Sequence, residues 1–433
     1  MLKYLFYNIK EHNAIWFKAP IVKSSNRNIL SLLWQSIKIC IRSLNHKEGV
    51  KSDWNEILFV SISQNNSRVL APIMDHLIDT SYSVIDTNDT ELKPSVAYLY
   101  KHSCLYLLPF LFQYLKMNHE EKRICKARFE DFFFTFAYLC FADTVLSNGR
   151  VKVVVLANDH SSLTRAFIVR SHQFGVKTVY LQHCSVGYHF PSLEFSYSFL
   201  DGEESFLKYK AIGGISSIIM LSGNPRYDKL LEYRNARPNN GYIGIAINSF
   251  DSEEDLKNLC SNLQDLGFSK ICVRPHPGHQ LPDIGWFNNR NIMMSDPQIE
   301  NTYAFLEKLN VLIAGESGIH LEAALMGVLS ICFIMSGEKT VDWYSYIKNK
   351  LIPYAENFDQ LIYIIKNASQ HIPNENKLRY YNASIGSSWY GNTAQLVAKF
   401  LESVITDSQS EFINSNFVAT SVYDDITLYK YAN

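Results

Sequence analysis

Two short segments in the second half of the chain carry residue types that bind phosphate groups in proteins. In the first, the apolar run NVLIAG continues into GESGIHLEAALMG, which places Gly315, Glu316, Ser317 and Gly318 where a strand should turn into a helix. Backbone N–H groups at a helix start bind anions, glycine permits close backbone approach, and a serine hydroxyl adds a donor. Glu322 could accept from ribose hydroxyls. The segment predicts a nucleotide-phosphate site, the alternative being a plain turn with Ser317 as the helix N-cap.

The second segment, VRPHPGH, lies at the carboxyl end of the predicted strand KICV, which is where open α/β sheets place their ligands. Prolines on both sides stiffen the backbone around His276. Its imidazole could donate to phosphate oxygens or balance the charge of a nucleotide leaving group. Arg274 and Pro277 belong to the same predicted donor site. The alternative is a rigid loop whose histidine makes only local hydrogen bonds.

Alternating strands and helices must position these segments. Residues 151–183 read as strand, helix, strand in VKVVVLA, LTRAFIVRSHQF and KTVYLQH, and the alternation continues to residue 223. The stretch RNARPNNG (234–241) has the composition of a linker, and YIGIAIN restarts the same pattern with Ser252 as an N-cap. This rhythm predicts an α/β protein with two Rossmann-like, doubly wound sheets.

The length of 433 residues also favours two domains, because single hydrophobic cores stop growing below this size. We predict an N-terminal domain over 1–236 and a C-terminal domain over 241–404. Residues 405–433 are polar and at first aperiodic, and we interpret them as a surface-wrapping extension. Before about residue 148 the pattern is weak, apart from the strand NEILFVSI.

Composition excludes several classes of protein. A hydrophobic fraction of 47% with 19% charged residues indicates a folded chain, and a net charge of −1 gives no field that would attract nucleic acid. The 8 cysteines form no CxxC pairs, which favours a reducing cytoplasm over a zinc ribbon or a disulfide scaffold. No signal peptide is recognisable at the N-terminus. The apolar stretch 104–117 contains Pro109 and is shorter than a membrane span, so we expect a buried or interfacial helix.

The motifs together resemble a known family. An RPHP segment, followed further along by a Ser/Gly turn and a helix, is similar to the signature of bacterial two-domain (GT-B) glycosyltransferases of surface-polysaccharide synthesis, and NDHSSLTRAF and LSGNPRYDKL resemble the acceptor half of capsule transferases. The resembling blocks span 151–335. The family includes sialyl-, Kdo- and polysialyltransferases that use CMP-activated acidic sugars, and CDP-glycerol phosphotransferases are more distantly similar.

The resemblance implies that the two domains face a central cleft and that His276 and Ser317 contact the CMP phosphate, with Glu322 near the ribose. The chain departs from the family where relatives carry paired Ser/Thr, since it has Ser317-Gly318 there. It also has DGEE (201–204) in place of the acidic-acidic-Gly triplet of sialyltransferases.

Inversion at the anomeric carbon needs a general base for the acceptor hydroxyl. Asp159 and His160 lead, because NDHSS lies at the carboxyl end of the strand VKVVVLA; the choice between them stays open, and a helix N-cap is the alternative for Asp159. Further charged residues that could bind the acceptor, or act as reserve bases, are Arg165, His183, Glu203, Glu204 and Arg226.

The sequence has no aspartate pair with DxD spacing, so we expect metal-independent chemistry without a cofactor. The expected partners are a nucleotide-sugar donor, a glycan or lipid-linked oligosaccharide acceptor and a capsule-assembly complex, at the cytoplasmic face of the inner membrane. The predicted reaction moves pseudaminic, legionaminic or sialic acid, or Kdo, from CMP to a hydroxyl of a capsule or lipopolysaccharide glycan. The alternatives are a CDP-polyol phosphotransferase, a UDP-sugar transferase, a non-hydrolysing sugar-nucleotide epimerase and a non-catalytic scaffold.

Overall fold

The described part of the chain divides into two compact units. The computed structural model describes residues 4–18, 27–44, 53–86, 93–236, 241–248, 251–276, 278, 283–420 and 426–432. The first unit takes its described residues from Met1–Asp201, Ser205–Pro225 and Ala394–Asn433, and the second from Gly202–Glu204 and Arg226–Thr393. Relative to the predicted ranges, the second unit begins earlier, at Arg226, and the chain returns to the first unit at Ala394.

The strands are numbered in chain order over the described residues. They are β1 (Ile57–Ser61), β2 (Tyr82–Asp86), β3 (Val153–Leu156), β4 (Lys177–Leu181), β5 (Tyr197–Leu200), β6 (Ile218–Leu221), β7 (Tyr242–Ala246), β8 (Ile271–Arg274), β9 (Met293–Met294), β10 (Leu309–Ala314), β11 (Leu329–Phe333), β12 (Tyr354–Ala355), β13 (Phe417–Ala419) and β14 (Leu428–Tyr431).

The helices are numbered in the same way. They are α1 (Ile9–His12), α2 (Ile15–Lys18), α3 (Ile29–Ser43), α4 (Gln64–Met74), α5 (Val96–Leu105), α6 (Leu107–Lys116), α7 (His119–Ala127), α8 (Phe129–Phe133), α9 (Thr135–Leu146), α10 (Ser162–Phe174), α11 (Glu203–Ile212), α12 (Asp228–Ala236), α13 (Glu253–Asp265), α14 (Ile284–Asn288), α15 (Thr302–Glu307), α16 (Ile319–Leu325), α17 (Phe358–Lys366), α18 (Glu375–Tyr381), α19 (Thr393–Ile405) and α20 (Gln409–Asn416). Short 3₁₀ turns occur at Pro225–Tyr227 and Ala368–Gln370.

The sheet of the first unit has eight strands within the described ranges, in the order β13-β14-β6-β5-β4-β3-β1-β2. Every neighbouring pair is parallel except β13 with β14. Its central strands are buried throughout, as the apolar runs ILFVS and VVVL require of strands that are covered on both faces. Strand β1 lies between β2 and β3, so the crossovers change direction at the β1/β3 boundary. An open α/β sheet binds its ligands at such a switch point.

The sheet of the second unit has six parallel strands within the described ranges, in the order β12-β11-β10-β7-β8-β9. Its switch point lies between β7 and β10, where Ala246 pairs with Ala314. Side chains alternate between two cores along β10: Leu312 packs with α15 and α16, whereas Ile313 packs with α13 and α17. Helices therefore cover both faces, and the predicted doubly wound arrangement is confirmed.

Local sequence signals account for several element boundaries. The Ser252 hydroxyl accepts from the Asp255 backbone N–H at 3.0 Å, which confirms the predicted N-cap of α13. Gly175 ends α10 in a left-handed conformation with φ of 69°. The N-cap of α10 is Ser161, which accepts from Thr164 N at 3.2 Å. The alternative interpretation of Asp159 as this cap is therefore wrong.

The C-terminal residues join the first sheet instead of wrapping its surface, so the interpretation of 405–433 as a surface-wrapping extension is wrong. Strand β14 pairs in parallel with β6, with Leu428 beside Ile219. Before it, the Phe400 ring of α19 packs at 5.0 Å from the rings of Tyr197 and Phe199 on β5. The polar composition hid a short strand, because only Leu428 of β14 is fully buried.

The helices between residues 93 and 148, α5 to α9, belong to the first unit and come before β3 in the chain. Residues Phe132, Phe133 and Phe136 are completely or almost completely buried there. The apolar stretch 104–117 is divided between the end of α5 and the whole of α6. Nowhere in the described ranges does a helix have the length and apolar character that a membrane span requires.

Gly202 lies where a side chain would collide with backbone of the second unit. An ideal Cβ on Gly202 would lie 2.5 Å from the Tyr380 carbonyl oxygen and 2.8 Å from the Tyr381 carbonyl carbon. We expect Gly202→Ala to lower the free energy of unfolding by about 1–3 kcal/mol, measured by urea denaturation. Gly187→Ala is the control, since its Cβ would meet only the Phe190 ring at 3.5 Å. Equal midpoints for the two variants would contradict the collision.

Candidate functional site

The loop after β3 joins three polar side chains into one hydrogen-bonded group at the switch point of the first sheet. His160 Nδ1 lies 2.7 Å from Asp159 Oδ1, and His160 Nε2 lies 3.2 Å from Asn158 Nδ2. Asn158 Oδ1 accepts from the backbone N–H groups of His160 and Ser161, both at 3.0 Å. Asp159 is fully buried, whereas His160 is partly exposed. The loop thus holds the buried Asp159 carboxylate in contact with the partly exposed His160 imidazole.

The partners of His160 determine where its ring proton lies. A carboxylate oxygen only accepts, so Nδ1 donates to Asp159, and Nε2 accepts from the Asn158 amide. In this tautomer Nε2 can take a proton from a hydroxyl, while Asp159 orients the ring and stabilises the imidazolium that forms. Asp159 Oδ2 is buried and has no hydrogen-bond partner in the described part of the chain.

Two buried tyrosines lie close to this carboxylate. The hydroxyls of Tyr180 and Tyr209 are 3.0 Å apart. Burial raises the pKa of both phenols well above the usual value, and the negative charge of Asp159 raises each pKa further. Both therefore stay protonated. His183, at the end of β4, also lies near, with its ring centroid 5.5 Å from that of His160 and its Nε2 3.3 Å from Cys184 Sγ.

A cavity of about 620 Å³ lies beside the loop, entirely within the first unit. Arg165 and Glu194 form an ion pair of 2.9 Å on its wall. His12 is another wall residue: it donates from Nε2 to the Ser162 carbonyl at 2.8 Å and accepts at Nδ1 from Tyr7 Oη at 2.7 Å. Burial lowers the pKa of His12 to about 3, so this imidazole is neutral near pH 7.

Polar side chains also connect the carboxyl ends of β4, β5 and β6. Asn224 donates to the Gln182 carbonyl at 2.6 Å and to Asp201 Oδ1 at 2.9 Å. Gln182 Oε1 accepts from the Asp201 backbone N–H at 3.0 Å. These bonds connect the loops that follow β4, β5 and β6, at the same edge of the sheet as Asp159 and His160.

In the second unit, a buried histidine fixes the turn that follows β10. His320 Nε2 lies 2.8 Å from the Gly315 carbonyl, which only accepts, so Nε2 carries the proton and Nδ1 accepts from Ser330 Oγ at 2.7 Å. Burial lowers the pKa of His320 to about 4, which keeps the ring neutral and this pattern intact near pH 7. His320 lies within the GESGIHLEAALMG motif, but the sequence alone did not single it out.

The glycines of this turn differ in their surroundings. A Cβ on Gly315 would lie 3.0 Å from Asn248 Nδ2, so Gly315 permits the turn to approach the loop after β7. Gly318 has an ordinary helical φ of −65° with open space around its Cβ position. Ser317 Oγ accepts from the Ile319 N–H at 3.4 Å, which leaves the hydroxyl proton to donate.

Glu316 holds a neighbouring loop. Its carboxylate accepts from the Thr340 hydroxyl and from the backbone N–H groups of Asp342 at 2.5 Å and Trp343 at 3.3 Å. Asp342 has a left-handed φ of 52°, a conformation that these contacts help to maintain. Glu316, predicted to bind the donor, thus has a clear positioning role beside the turn.

His276 lies on the surface at the end of β8, as predicted. Its Nδ1 accepts from the Gly278 N–H at 3.1 Å, which places the proton of the neutral ring on Nε2. The imidazole is exposed at the strand end. Pro277, also predicted for this site, lies outside the described residues.

The two arginines predicted to bind ligands, Arg274 and Arg226, contact hydroxyl, carbonyl and carboxylate groups of the second unit. Arg274 is buried and donates to Ser295 Oγ at 2.6 Å and to the Glu300 carbonyl at 2.9 Å. Arg226 forms an ion pair with Glu322, and both side chains are largely buried. Glu322, predicted to contact ribose, is thus joined to Arg226, predicted as an acceptor residue.

The structure places the predicted residues in two sets. In the first unit, the loop after β3, the cavity wall and the end of β4 bring together Asp159, His160, Arg165 and His183. In the second unit, the predicted residues lie at the ends of β8 and β10 and in the Arg226–Glu322 ion pair. Glu203 and Glu204 are the first two residues of α11, and Glu204 is buried. No group of three His, Cys, Asp or Glu side chains that could hold a metal ion occurs in the described ranges.

Four further polar residues support these sets without having been predicted: Asn158, Glu194, Asn248 and His320. Asn158 and Asn248 each follow a buried strand, a position that could have revealed them. Glu194 pairs with Arg165, which is 29 positions away in the sequence, and no local sequence pattern predicts that contact.

No protein-family model matches the chain, and no curated protein is similar to it in sequence. Its fold resembles solved structures. UDP-GlcNAc 2-epimerase from Neisseria meningitidis, bound to UDP-GlcNAc, has a TM-score of 0.50 at 12% identity, covering 81% of this chain and 99% of that one. The enzyme of the same name from Methanocaldococcus jannaschii scores 0.49 at 12% identity, covering 80% and 99%. The wall teichoic acid polymerase TagF scores 0.48 at 13% identity, covering 92% and 98%.

At these identities the similarity concerns the fold alone. The similarity to the Neisseria enzyme extends over both units of the chain, and each unit has the mainly parallel, doubly wound sheet that the sequence predicts. The chain has a mixed α/β fold of the GT-B type with two Rossmann-like domains.

Proposed function

We propose that the chain is an inverting, metal-independent glycosyltransferase. It moves an acidic sugar (pseudaminic, legionaminic or sialic acid, or Kdo) from a CMP donor to a hydroxyl of a capsule or lipopolysaccharide glycan. One observation carries the proposal: each sheet has a polar loop at its switch point, with a carboxylate–imidazole pair in one unit and a Gly/Ser turn in the other. The former suits proton transfer and the latter suits a nucleotide.

The donor is assigned to the second unit. The Ser317 hydroxyl and the His276 imidazole are hydrogen-bonding groups at the ends of β10 and β8, and Gly318 leaves open space next to Ser317. The Gly315 turn is held in place by His320, so these groups need little reorganisation when phosphate binds.

The charges of the second unit favour a donor with a single phosphate. Arg226 is paired with Glu322, and Arg274 is engaged with Ser295 and Glu300, so neither guanidinium is directed at a diphosphate. A CMP ester carries one phosphate charge, which a serine, an imidazole and backbone N–H groups can balance more readily than two.

The base is assigned to the first unit as a pair in which His160 acts and Asp159 positions it. Asp159 is fully buried and His160 is partly exposed, so only the imidazole can meet an acceptor hydroxyl without rearrangement of the loop. The acceptor hydroxyl displaces the Asn158 amide from Nε2 and transfers its proton there as its oxygen attacks the anomeric carbon, while the bond from that carbon to the phosphate oxygen breaks and CMP leaves with the electron pair. The carboxylate then stabilises the imidazolium.

A peripheral position at an anionic membrane is part of the proposal. Helix α6 exposes Leu108 (78%), Phe112 (60%) and Leu115 (69%) on one side, and Lys116 Nζ lies 4.0 Å above the Phe112 ring. No Asp or Glu occurs between residues 93 and 118. Exposed apolar side chains with lysine and no acid suit the headgroup region of anionic lipids, where a lipid-linked acceptor would be met.

The donor assignment predicts a ranking of nucleotides. CMP should raise the thermal unfolding temperature more than CDP or UDP at equal concentration, and His276→Ala should weaken CMP binding about tenfold by removing one hydrogen bond to phosphate. His119→Ala, at an exposed histidine of α7, is the control.

A stronger response to UDP would favour a UDP-sugar transferase, and a stronger response to CDP a CDP-polyol phosphotransferase. Epimerised product from nucleotide sugar without acceptor would identify an epimerase. Unchanged polysaccharide synthesis by folded His276→Ala would contradict the donor site and support a scaffold.

The base assignment predicts separate effects on transfer and on nucleotide binding. His160→Ala should lower kcat about 10²–10⁴-fold with CMP affinity unchanged, and Asp159→Asn should lower kcat less, because the imidazole remains but loses its orienting charge. His172→Ala, at an exposed histidine of α10, should transfer normally. If Asp159→Asn abolished transfer and His160→Ala did not, the carboxylate would be the base.

The membrane assignment predicts loss of vesicle binding when α6 becomes polar. The chain should float with phosphatidylglycerol vesicles, and Leu108→Ser combined with Phe112→Ser should reduce the bound fraction at least fivefold, in line with the apolar area lost. Ile299→Ser is the control, since Ile299 is also exposed (87%) but lies in the second unit. Equal losses for both would mean that α6 has no special role.

A further inference from the structure

The cavity beside the β3 loop has walls from three parts of the first unit. They are the N-terminal segment around α1, the residues around the start of α10 and the segment before β5. Its volume of about 620 Å³ is in the range of pockets that enclose small ligands, which is about 300–1,000 Å³. Phe6 lies on its wall and is 98% exposed, an arrangement that offers a ring face to the C–H side of a sugar.

The charged groups on the wall give the cavity an excess of carboxylates. Glu11, Asp159 and Glu194 supply three acids in the described part of the chain, and Arg165 supplies one guanidinium. That guanidinium is already paired with Glu194, whose other oxygen accepts from Ser192 at 3.0 Å. Of the wall histidines, His12 is buried and neutral.

Two buried polar atoms of the wall lack partners within the described ranges. They are Asp159 Oδ2, an acceptor, and Arg165 Nη1, a donor. Both atoms have almost no exposed surface, so a ligand in the cavity meets the more accessible groups of the wall, such as His160, Glu11 and Glu194. A sugar hydroxyl can donate to the wall carboxylates as well as accept, whereas a ligand carboxylate only accepts and would be repelled by the acids.

We propose that this cavity binds the terminal sugar of the acceptor and that it selects an uncharged, hydroxyl-rich sugar over one that bears a carboxylate. The inference rests on the proposed transferase function for its meaning, since it places the acceptor beside His160. Binding itself is a property of the cavity. Glu194 is the specificity-determining residue, because it occupies the guanidinium that would otherwise receive a carboxylate.

The test measures binding of methyl glucoside and methyl glucuronide to the full chain without nucleotide, by saturation-transfer NMR with titration. The glucoside should bind at least tenfold more tightly than the glucuronide. Glu194→Gln should release Arg165 and strengthen glucuronide binding about tenfold, with little effect on the glucoside. Glu194→Gln combined with Arg165→Gln should abolish that gain.

Two further variants make the test robust. Glu11→Gln removes an exposed acid of the wall, so the fold is not at risk, and it should strengthen glucuronide binding about threefold. Glu120→Gln is the matched control, because Glu120 forms an exposed pair with Arg123 outside the cavity wall, and it should change neither sugar's affinity.

A wild-type preference for the glucuronide, equal binding of both sugars, binding of neither, or an unchanged preference in Glu194→Gln and Glu11→Gln would overturn the inference. Sugar binding with the expected preference, but without transfer from any CMP-sugar, would count against the transferase function alone. Transfer to acceptors that end in a carboxylated sugar, at rates equal to those for neutral ends, would count against the inference alone.

Discussion

A parallel sheet that is covered by helices on both faces can bring polar groups together only at its ends, and this constraint organises the whole chain. Buried strands such as β3 and β10 have no polar face, because helices pack on each side. The reversal of crossover direction between β1 and β3, and again between β7 and β10, opens a place at the carboxyl ends where no helix crosses. Asp159 with His160, and Gly315 with Ser317, occupy these two places.

The sequence predicted this framework because its signals are local. Apolar runs such as VKVVVLA identify buried strands, Ser252 marks a helix start, and Gly175 marks a helix end. The last strand escaped prediction for a physical reason. β14 is held by pairing with β6, some two hundred positions away, and by packing of Leu428, so its polar segment has no pattern of its own.

The candidate site could be predicted in position but not in detail. Residues that follow a strand were found from the strand, but the partner of each charged side chain was not. Arg226 and Glu322 are 96 positions apart and Arg165 and Glu194 are 29 apart, so residue type alone suggested Arg226, Glu322 and Arg165 as separate ligand-binding groups, whereas the fold joins them in two ion pairs, one of them with the unpredicted Glu194. His320 was overlooked for the same reason: its role depends on Gly315 and Ser330, which only the fold brings to its two nitrogens.

These pairings show why the arginines of the candidate sites do not act as isolated charges. A largely buried arginine such as Arg226 is stabilised by a carboxylate, since an unpaired charge away from solvent is costly. Once Arg226 is paired with Glu322, the two opposite charges largely cancel and the pair mainly fixes the two side chains in place. The other polar groups of the two strand-end loops include hydroxyl, imidazole and backbone groups, whose hydrogen bonds are directional. In both units a carboxylate balances the charge of an arginine and fixes the position of its side chain.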